Sequence, residues 1–237
     1  MTTHTPPTFI AFASPKGGVG KSTSCLALAG SLAARGYIVH VVDFDQTETL
    51  WRWYSSAEAA RSIPNLTVEQ GPTTDVPGFL KGLFFNRTGY VLIDLAGALT
   101  HHMLQLAAFA QLTITPAKLN EPDIREANKL ARQLVELAKV ADKPIIHRIL
   151  LNEVPAILAA YQVHTLGQVD ASPMQRFQTL MHVRAAYPES FLTGTPPHFA
   201  NRSRPTISKA IEELDHLTDE VLATLASANT EEQKAAA

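Results

Sequence analysis

The chain has 237 residues, 46% of them hydrophobic, and a formal net charge of -2, so it can form one sizeable domain but lacks the overall positive field of a dedicated nucleic-acid binder. Its one cysteine, Cys25, excludes an intrachain disulfide and an Fe–S cluster held by several of its thiolates. No apolar run reaches about eighteen residues, and residues 1–7 show no signal-peptide pattern. We therefore expect a cytoplasmic protein with no membrane insertion.

Six short apolar runs, most of them separated by helix-like segments, predict the strands of a sheet. They occupy residues 9–13, 37–42, 66–69, 90–93, 112–115 and 145–151. Alternating strands and helices are typical of doubly wound α/β domains, in which a mostly parallel sheet carries helices on both faces. We expect a single three-layer α/β domain over residues 1–227 and a disordered tail at 228–237.

Apolar residues at three- and four-residue spacing predict the main helices. These comprise a helix that begins near Ser22 and stops at Gly36, followed by helices at 123–140, 173–186 and 206–225. The 173–186 helix depends mainly on Ser172 and Pro173, which suit the N-cap and first helical positions.

A glycine-rich turn, residues 14–23, joins the first strand to the first helix and reads Ser-Pro-Lys-Gly-Gly-Val-Gly-Lys-Ser-Thr. Its glycines let successive backbone N–H groups face phosphate oxygens, and the following helix adds the positive end of its dipole. Lys21 is placed to reach the β- and γ-phosphates, and the Ser22 hydroxyl to ligate Mg²⁺. The pattern departs from G-x-x-x-x-G-K-[ST], because Pro15 replaces the first glycine and Lys16 precedes the others.

Carboxylates end two of the predicted strands, at the edge where open α/β sheets bind ligands. Asp43 and Asp45 share one face of an extended segment, and such close like charges need a cation or water between them. Asp94 closes the fourth apolar run, where a carboxylate can hydrogen-bond metal-bound water. The sequence therefore predicts a Mg²⁺ site formed by Ser22, Asp43 and Asp94.

The string Lys-Gly-Gly-Val-Gly-Lys-Ser-Thr resembles the deviant Walker A motif of the ParA/MinD family of dimerising ATPases. This resemblance implies the P-loop NTPase fold, ATP and Mg²⁺ as cofactors, and an ATP-bound homodimer in which Lys16 reaches the partner's nucleotide. It implies that Lys16, Lys21 and Asp45 are catalytic, with Asp45 orienting or deprotonating the attacking water. The nucleotide contacts that it implies are Lys16, Gly17, Gly18, Val19, Gly20, Lys21, Ser22, Thr23 and, at the adenine edge, Asn152.

Two local departures from the family pattern affect the catalytic loops. Gln46 follows Asp45 directly, where family members usually have Pro-Gln, which puts the loop shape and hydrolysis rate in doubt. Residues 95–97 replace a frequent Pro-Pro pair, and the Gly97 N–H could meet the γ-phosphate. A narrower likeness, carried by Leu50, Trp53 and residues 119–127, is to the subgroup of conjugative and T-DNA transfer accessory ATPases and to plasmid partition proteins.

The resemblance implies a function in segregating or positioning a plasmid, other DNA or a protein cargo. The ATP dimer would bind non-specific DNA, and so associate with the nucleoid, while a ParB-like or other activator would stimulate slow hydrolysis. Candidate DNA contacts are Arg176, Arg184, Arg202, Arg204 and Lys209, since phosphate contacts require cations on one face. Scattered surface charge is an equal alternative for these five residues.

Three other functions are alternatives for a protein with this motif. A MinD-like protein would need a basic amphipathic C-terminal helix, whereas this one carries Glu212, Glu213, Asp215, Asp219 and Glu220 against Lys209. A spatial regulator scaffolded by another protein would need neither membrane nor DNA. A dethiobiotin-synthetase-like biosynthetic enzyme would share the fold and bind a small acceptor beside the γ-phosphate.

Overall fold

The computed structural model describes residues 5–97, 100–141 and 144–235. Within them, six strands form one sheet: β1 (Thr8–Phe12), β2 (Val39–Asp43), β3 (Leu66–Gln70), β4 (Tyr90–Asp94), β5 (Leu112–Lys118) and β6 (Ile146–Asn152). Their order is β3-β2-β4-β1-β5-β6, and every pairing is parallel. All six predicted strands are confirmed, with small shifts at their ends.

The helices of the described residues connect and cover these strands. They are α1 (Lys21–Ala34), α2 (Thr49–Ser56), α3 (Glu58–Arg61), α4 (Val76–Asn86), α5 (His101–Phe109), α6 (Glu121–Ala141), α7 (Ala160–Asp170), α8 (Ala186–Thr193) and α9 (Pro205–Ala235). A 3₁₀ turn, Pro197–Phe199, precedes α9. Helix α9 continues well past residue 225, where the pattern predicted its end. In the part of the chain described here, no helix combines the length and apolar character needed to cross a membrane.

The sheet is buried on both faces, because its strands are apolar at successive positions. Ile10 and Phe12 of β1 belong to the core packed with α1 and α9, whereas Phe9 and Ala11 belong to the core packed with α4, α5 and α6. Successive strand residues point to opposite faces, so a continuous apolar run supplies both cores. The predicted three-layer, doubly wound α/β fold is thereby confirmed.

The helix predicted at 173–186 is wrong, because residues 175–183 run beside β6. The Phe177 N–H donates to the Ile149 carbonyl at 2.9 Å, and the Met181 N–H donates to the Leu151 carbonyl at 3.0 Å. The Glu220 carboxylate of α9 also accepts backbone N–H groups of this segment. These long-range bonds, with the burial of Phe177 and Met181, outweigh the local helix signal of the Ser-Pro pair.

Candidate functional site

The carboxyl ends of three central strands bring the predicted site together. Phe12 at the end of β1 and Asp43 at the end of β2 both lie opposite Asp94 of β4 in the sheet register. The glycine-rich loop leaves β1 at this level and enters α1 at Lys21. The loop and the two strand-end aspartates therefore share one edge of the sheet, as the sequence predicts.

The glycine-rich loop has the backbone that its glycines allow. Gly18 and Gly20 have φ angles of 72° and 91°, in the left-handed region that favours glycine. No side chain caps the start of α1, so its first N–H groups can bind an anion. Lys21 at this helix start is only 6% exposed. A β-carbon at Gly97 would lie 3.2 Å from both the Gly17 Cα and the Lys21 Nζ, so the β4 exit packs directly on the loop.

Asp94 is a buried carboxylate without a hydrogen-bond partner. Its exposed fraction is 0%, and neither carboxylate oxygen is hydrogen-bonded within the described ranges. Burial raises the pKa of Asp94 to about 7; the Ser22 hydroxyl and the Lys21 ammonium oppose the shift, and Asp43 adds to it. Ser22 is thus close to the carboxylate without making a hydrogen bond of normal geometry. A hydrated cation beside Ser22 would satisfy both oxygens, so this donor set fits Mg²⁺.

Asp43 holds the backbone of the loop that follows β2. Its Oδ2 accepts the N–H groups of Leu50 at 2.8 Å and Trp51 at 3.0 Å, and its Oδ1 accepts the Asp45 N–H at 3.0 Å. Burial raises the pKa of Asp43, while these three N–H groups oppose that shift. The carboxylate thus caps α2 and fixes the position of Asp45, whereas its predicted support of a metal ion stays a prediction.

Asp45 forms a local turn with Thr47 in this conformation. Its Oδ1 accepts both the backbone N–H and the hydroxyl of Thr47 at 2.9 Å. An aspartate that bonds two residues ahead makes a local turn, and Asp-x-Thr is the sequence signal for it. This contact engages Oδ1 of Asp45, and action of its carboxylate on a water at the phosphates stays a prediction.

Lys16 forms an ion pair within its own chain. Its Nζ contacts Asp123 Oδ1 near the start of α6; the Lys16 side chain is 44% exposed and that of Asp123 is 1% exposed. Asp123 is fixed further, since its Oδ2 accepts the Lys118 N–H at 3.2 Å and its own N–H donates to Asn120. The lysine expected to reach a partner's nucleotide is therefore held back, and Asp123 joins the site as a residue that spacing alone could not reveal.

Asn152 braces the phosphate loop. Its Nδ2 donates to the Val19 carbonyl at 2.9 Å, and a β-carbon at Gly20 would lie only 1.9 Å from that nitrogen. Gly20 is therefore required both by its φ angle and by the close approach of Asn152. Contact between Asn152 and an adenine edge stays a prediction, as does a contact of Thr23, in the first turn of α1, with nucleotide.

Three of the five predicted DNA-contacting residues are neutralised by carboxylates. Arg176 pairs with Asp170, Arg184 with Glu213 and Arg204 with Glu189. Arg202 and Lys209 are exposed and have no ion pair in the described part of the chain. Arg202 lies beside the first turn of α9, since the Ser208 hydroxyl donates to its carbonyl at 2.9 Å. The ion pairs leave these two cations as the free members of the predicted set.

Known proteins resemble this chain over most of its length. A family model described as VirC1 protein matches residues 8–195. A ParA protein of Rhizobium radiobacter is 24% identical over 211 residues, which cover 86% of this chain and 90% of the relative. In fold, the chain is similar to a Cyanothece McdA variant in complex with ATP, with a TM-score of 0.66, 15% identity and coverage of 90% and 97% of the two chains. It is also similar to the Pyrococcus horikoshii septum site-determining protein MinD complexed with Mg-ADP, with a TM-score of 0.63, 15% identity and coverage of 92% and 98%.

Proposed function

The chain belongs to the VirC1 protein family of ParA/MinD-type ATPases, and from this premise we propose that it is a Mg²⁺-dependent ATPase that positions DNA-associated cargo. In this proposal it binds ATP, forms a nucleotide-sandwich homodimer, holds non-specific DNA and hydrolyses ATP slowly until an adaptor protein stimulates it. The protein then acts in the cytoplasm, at the nucleoid when bound to DNA.

The observation that carries the ATPase proposal is the unpartnered Asp94 carboxylate beside the glycine-rich loop. Both of its oxygens are buried without a hydrogen bond among the described residues, and a buried carboxylate of this kind needs a cation or a proton. Its neighbours Lys21 and Ser22 supply the cation and hydroxyl that a metal–phosphate group requires. Bound Mg²⁺ would neutralise charge on the phosphate oxygens, and Asp94 would hold a water in its coordination shell.

The chain's own residues divide the remaining work. Lys21 and the N–H groups that open α1 bind phosphate oxygens and stabilise the charge that develops on them. Asp45 orients the attacking water once it has left Thr47, so we expect a slow basal rate that rises when another molecule moves this loop. On dimerisation, Lys16 leaves Asp123 and contacts the nucleotide of the partner subunit. Dimerisation therefore competes with the ion pair between Lys16 and Asp123 within one chain.

The test is binding of random-sequence duplex DNA with ATP, with ADP and without nucleotide, each at the same moderate salt concentration. We expect binding with ATP alone, loss of binding in Lys16→Ala, and no change in Lys81→Ala, a matched exposed lysine on α4. The molar mass of the protein in the same samples is measured by light scattering to follow dimerisation. Binding that ignores the nucleotide or survives Lys16→Ala would contradict the proposed switch.

A protein-scaffolded regulator is the second candidate, favoured by the neutralisation of Arg176, Arg184 and Arg204. It predicts ATP-driven dimerisation without affinity for DNA. A dimer that forms with ATP, requires Lys16 and ignores duplex DNA would therefore support this second function.

A further inference from the structure

A large cleft opens at the end of the sheet opposite the phosphate loop. Its volume is about 1350 Å³, and it lies between α6, the first residues of β6, residues 172–175 and residues 224–228 of α9. A second cavity of about 760 Å³ continues it between α6 and α7, sharing the lining residues Asn128, Arg132, Ser172 and Met174. We call the two together the α6–β6 cleft. Its size exceeds the roughly 300–1,000 Å³ of ordinary small-molecule sites, so an occupant longer than a metabolite fits it.

One edge of the cleft is a short stretch of unpaired strand. In β6, the Ile149 N–H donates to the Gln175 carbonyl and the Ile149 carbonyl accepts from Phe177, so the backbone groups of Ile149 point away from β5. Because strand residues alternate in direction and the register of β6 is unbroken, the backbone of His147 points the same way. The segment 175–183 does not reach His147, and no acceptor for its N–H occurs in the described ranges. The cleft side of β6 thus carries a free backbone N–H at His147, whereas the His147 carbonyl already accepts a hydrogen bond from Arg148.

The cleft carries positive charge from Arg132 and Arg148 and, in the second cavity, from Lys129, none of which has an ion pair among the described residues. Arg148 Nη1 donates to the His147 carbonyl at 2.9 Å, and neither Arg148 nor Arg132 has a carboxylate partner among residues that the structure describes. Partial burial lowers the pKa of Arg148, which is the signature of a cation short of counter-charge. Burial, together with Arg148, lowers the pKa of His147 to about 4, so this imidazole is neutral. Glu136 lies on the rim and is paired with Lys139 at 2.8 Å.

Apolar side chains also line the cleft. Val135 of α6 is 53% exposed there. Covering this side chain would contribute favourable free energy, because it removes apolar surface from water. Ile145, Met174 and Leu225 line the same cavity. A phosphate backbone has no surface that would cover these side chains, whereas a peptide can present apolar and acidic residues alternately.

From these features together we propose that the α6–β6 cleft binds an extended, acidic and apolar peptide segment of a partner protein, which adds as a strand beside β6 and accepts the free N–H of His147. Its carboxylates pair with Arg132 and Arg148, and its alternate apolar residues cover Val135. This is strand addition, in which backbone hydrogen bonds give affinity and side-chain contacts give specificity. The cleft lies away from the phosphate loop, so the proposal does not depend on the proposed ATPase function.

The test begins with selection from a display library of random peptides of about twelve residues, against the full chain. Selected peptides are then measured by fluorescence anisotropy against the wild type, Arg148→Glu, Val135→Asp and Lys81→Glu, the last a matched charge reversal on α4. We expect peptides rich in Asp, Glu and aliphatic residues, at least about tenfold weaker binding to the first two variants, and unchanged binding to Lys81→Glu. Hydrogen exchange of the His147 amide slows when peptide is added.

Several results would overturn the proposal. The first is that no peptide is enriched in the selection. The second is that Arg148→Glu melts like the wild type and binds the peptide equally well. The third is that adding peptide leaves the hydrogen exchange of the His147 amide unchanged. Displacement of bound peptide by a short oligothymidylate would instead assign the cleft to nucleic acid. Self-association without nucleotide that Val135→Asp abolishes would assign it to a second copy of the chain.

Discussion

We expect Asp94→Asn to stabilise the nucleotide-free protein near neutral pH and to abolish its stabilisation by Mg²⁺ and ATP. The substitution keeps the shape of the side chain and removes its charge. In the wild type, burial raises the pKa of Asp94 from 3.8 to about 7, so the folded protein binds a proton more tightly than the unfolded chain does. Ionisation of Asp94 therefore destabilises the fold when no cation is bound.

The size of the effect follows from this shift of the Asp94 pKa. Three pKa units correspond to an upper limit of about 4 kcal/mol, and relaxation around the charge reduces this to about 1–3 kcal/mol. Below pH about 4 Asp94 is protonated in both states; as pH rises to about 7, only the unfolded chain loses the proton, and the contribution of Asp94 to stability falls. Above pH about 7 the destabilisation is complete. The asparagine side chain of the variant does not titrate, so the variant lacks this component of the pH dependence.

The assay is thermal unfolding of wild type and variant from pH about 5 to 8 with a chelator, then with Mg²⁺ and ATP. In chelator at pH about 8 the variant should melt higher, by about 2–4 °C for each kcal/mol. The difference should be less than half as large near pH 5, where the unfolded chain is already mostly ionised at Asp94. Adding Mg²⁺ and ATP should raise the melting temperature of the wild type much more than that of the variant. A variant that melts below the wild type in chelator at pH 8, or a difference that ignores pH, would refute the reasoning.

Three further predictions concern contacts that the structure places around the site and in α9. Asp123→Asn should release Lys16, whose half-exposed ion pair stabilises the monomer by about 1 kcal/mol. Because a dimer breaks one such pair in each chain, ATP-driven dimerisation should strengthen about thirtyfold by sedimentation; unchanged dimerisation would show that the pair does not compete. Gly20→Ala should abolish ATP binding measured by calorimetry, because the new β-carbon would lie 1.9 Å from Asn152 Nδ2 at a residue with a φ of 91°. Adding Asn152→Ala removes the clash but leaves the strained φ, so full recovery of ATP binding in the double variant would contradict this account. Glu213→Gln should lower the free energy of unfolding in urea by about 1–3 kcal/mol, because this carboxylate accepts hydrogen bonds from His182, Arg184 and Tyr187. A decrease below about 0.5 kcal/mol would argue against a stabilising role of these hydrogen bonds.

The fold was predictable because its signals are local. A strand buried on both faces is a continuous apolar run, and a glycine-rich turn before a helix marks the phosphate loop, so neither needs knowledge of distant residues. The segment 175–183 was not predictable in this way. Its stability depends on the edge of β6 and on Glu220 of α9, and a Ser-Pro pair carries no information about either.

The site shows the same division between local and distant contacts. Asp43, Asp94 and the loop residues are placed by strand ends, and the structure brings them together as predicted. The partners that control them are distant in sequence: Asp123 lies 107 positions from Lys16, and Asn152 lies 133 positions from Val19. Residue type and spacing identify which groups can do the chemistry, whereas the resting state of those groups is set by contacts that only the folded chain reveals.

The ion pairs of the arginines constrain the proposed binding of DNA by the dimer. The sequence predicts five cationic residues that contact phosphate, but three of them form ion pairs with carboxylates of their own chain. The free energy lost by breaking such an ion pair offsets the free energy gained from a new phosphate contact. Arg202 and Lys209 are then two contacts per chain and four per dimer, which gives a plot of log affinity against log salt a slope of about −4. A slope near −9 would mean that all ten cations of the dimer exchange their partners for phosphates. Arg204→Ala should leave a slope of about −4 unchanged, because Arg204 then makes no phosphate contact, but should reduce a slope near −9. Salt titration of this variant therefore decides whether the ion pairs open when DNA binds.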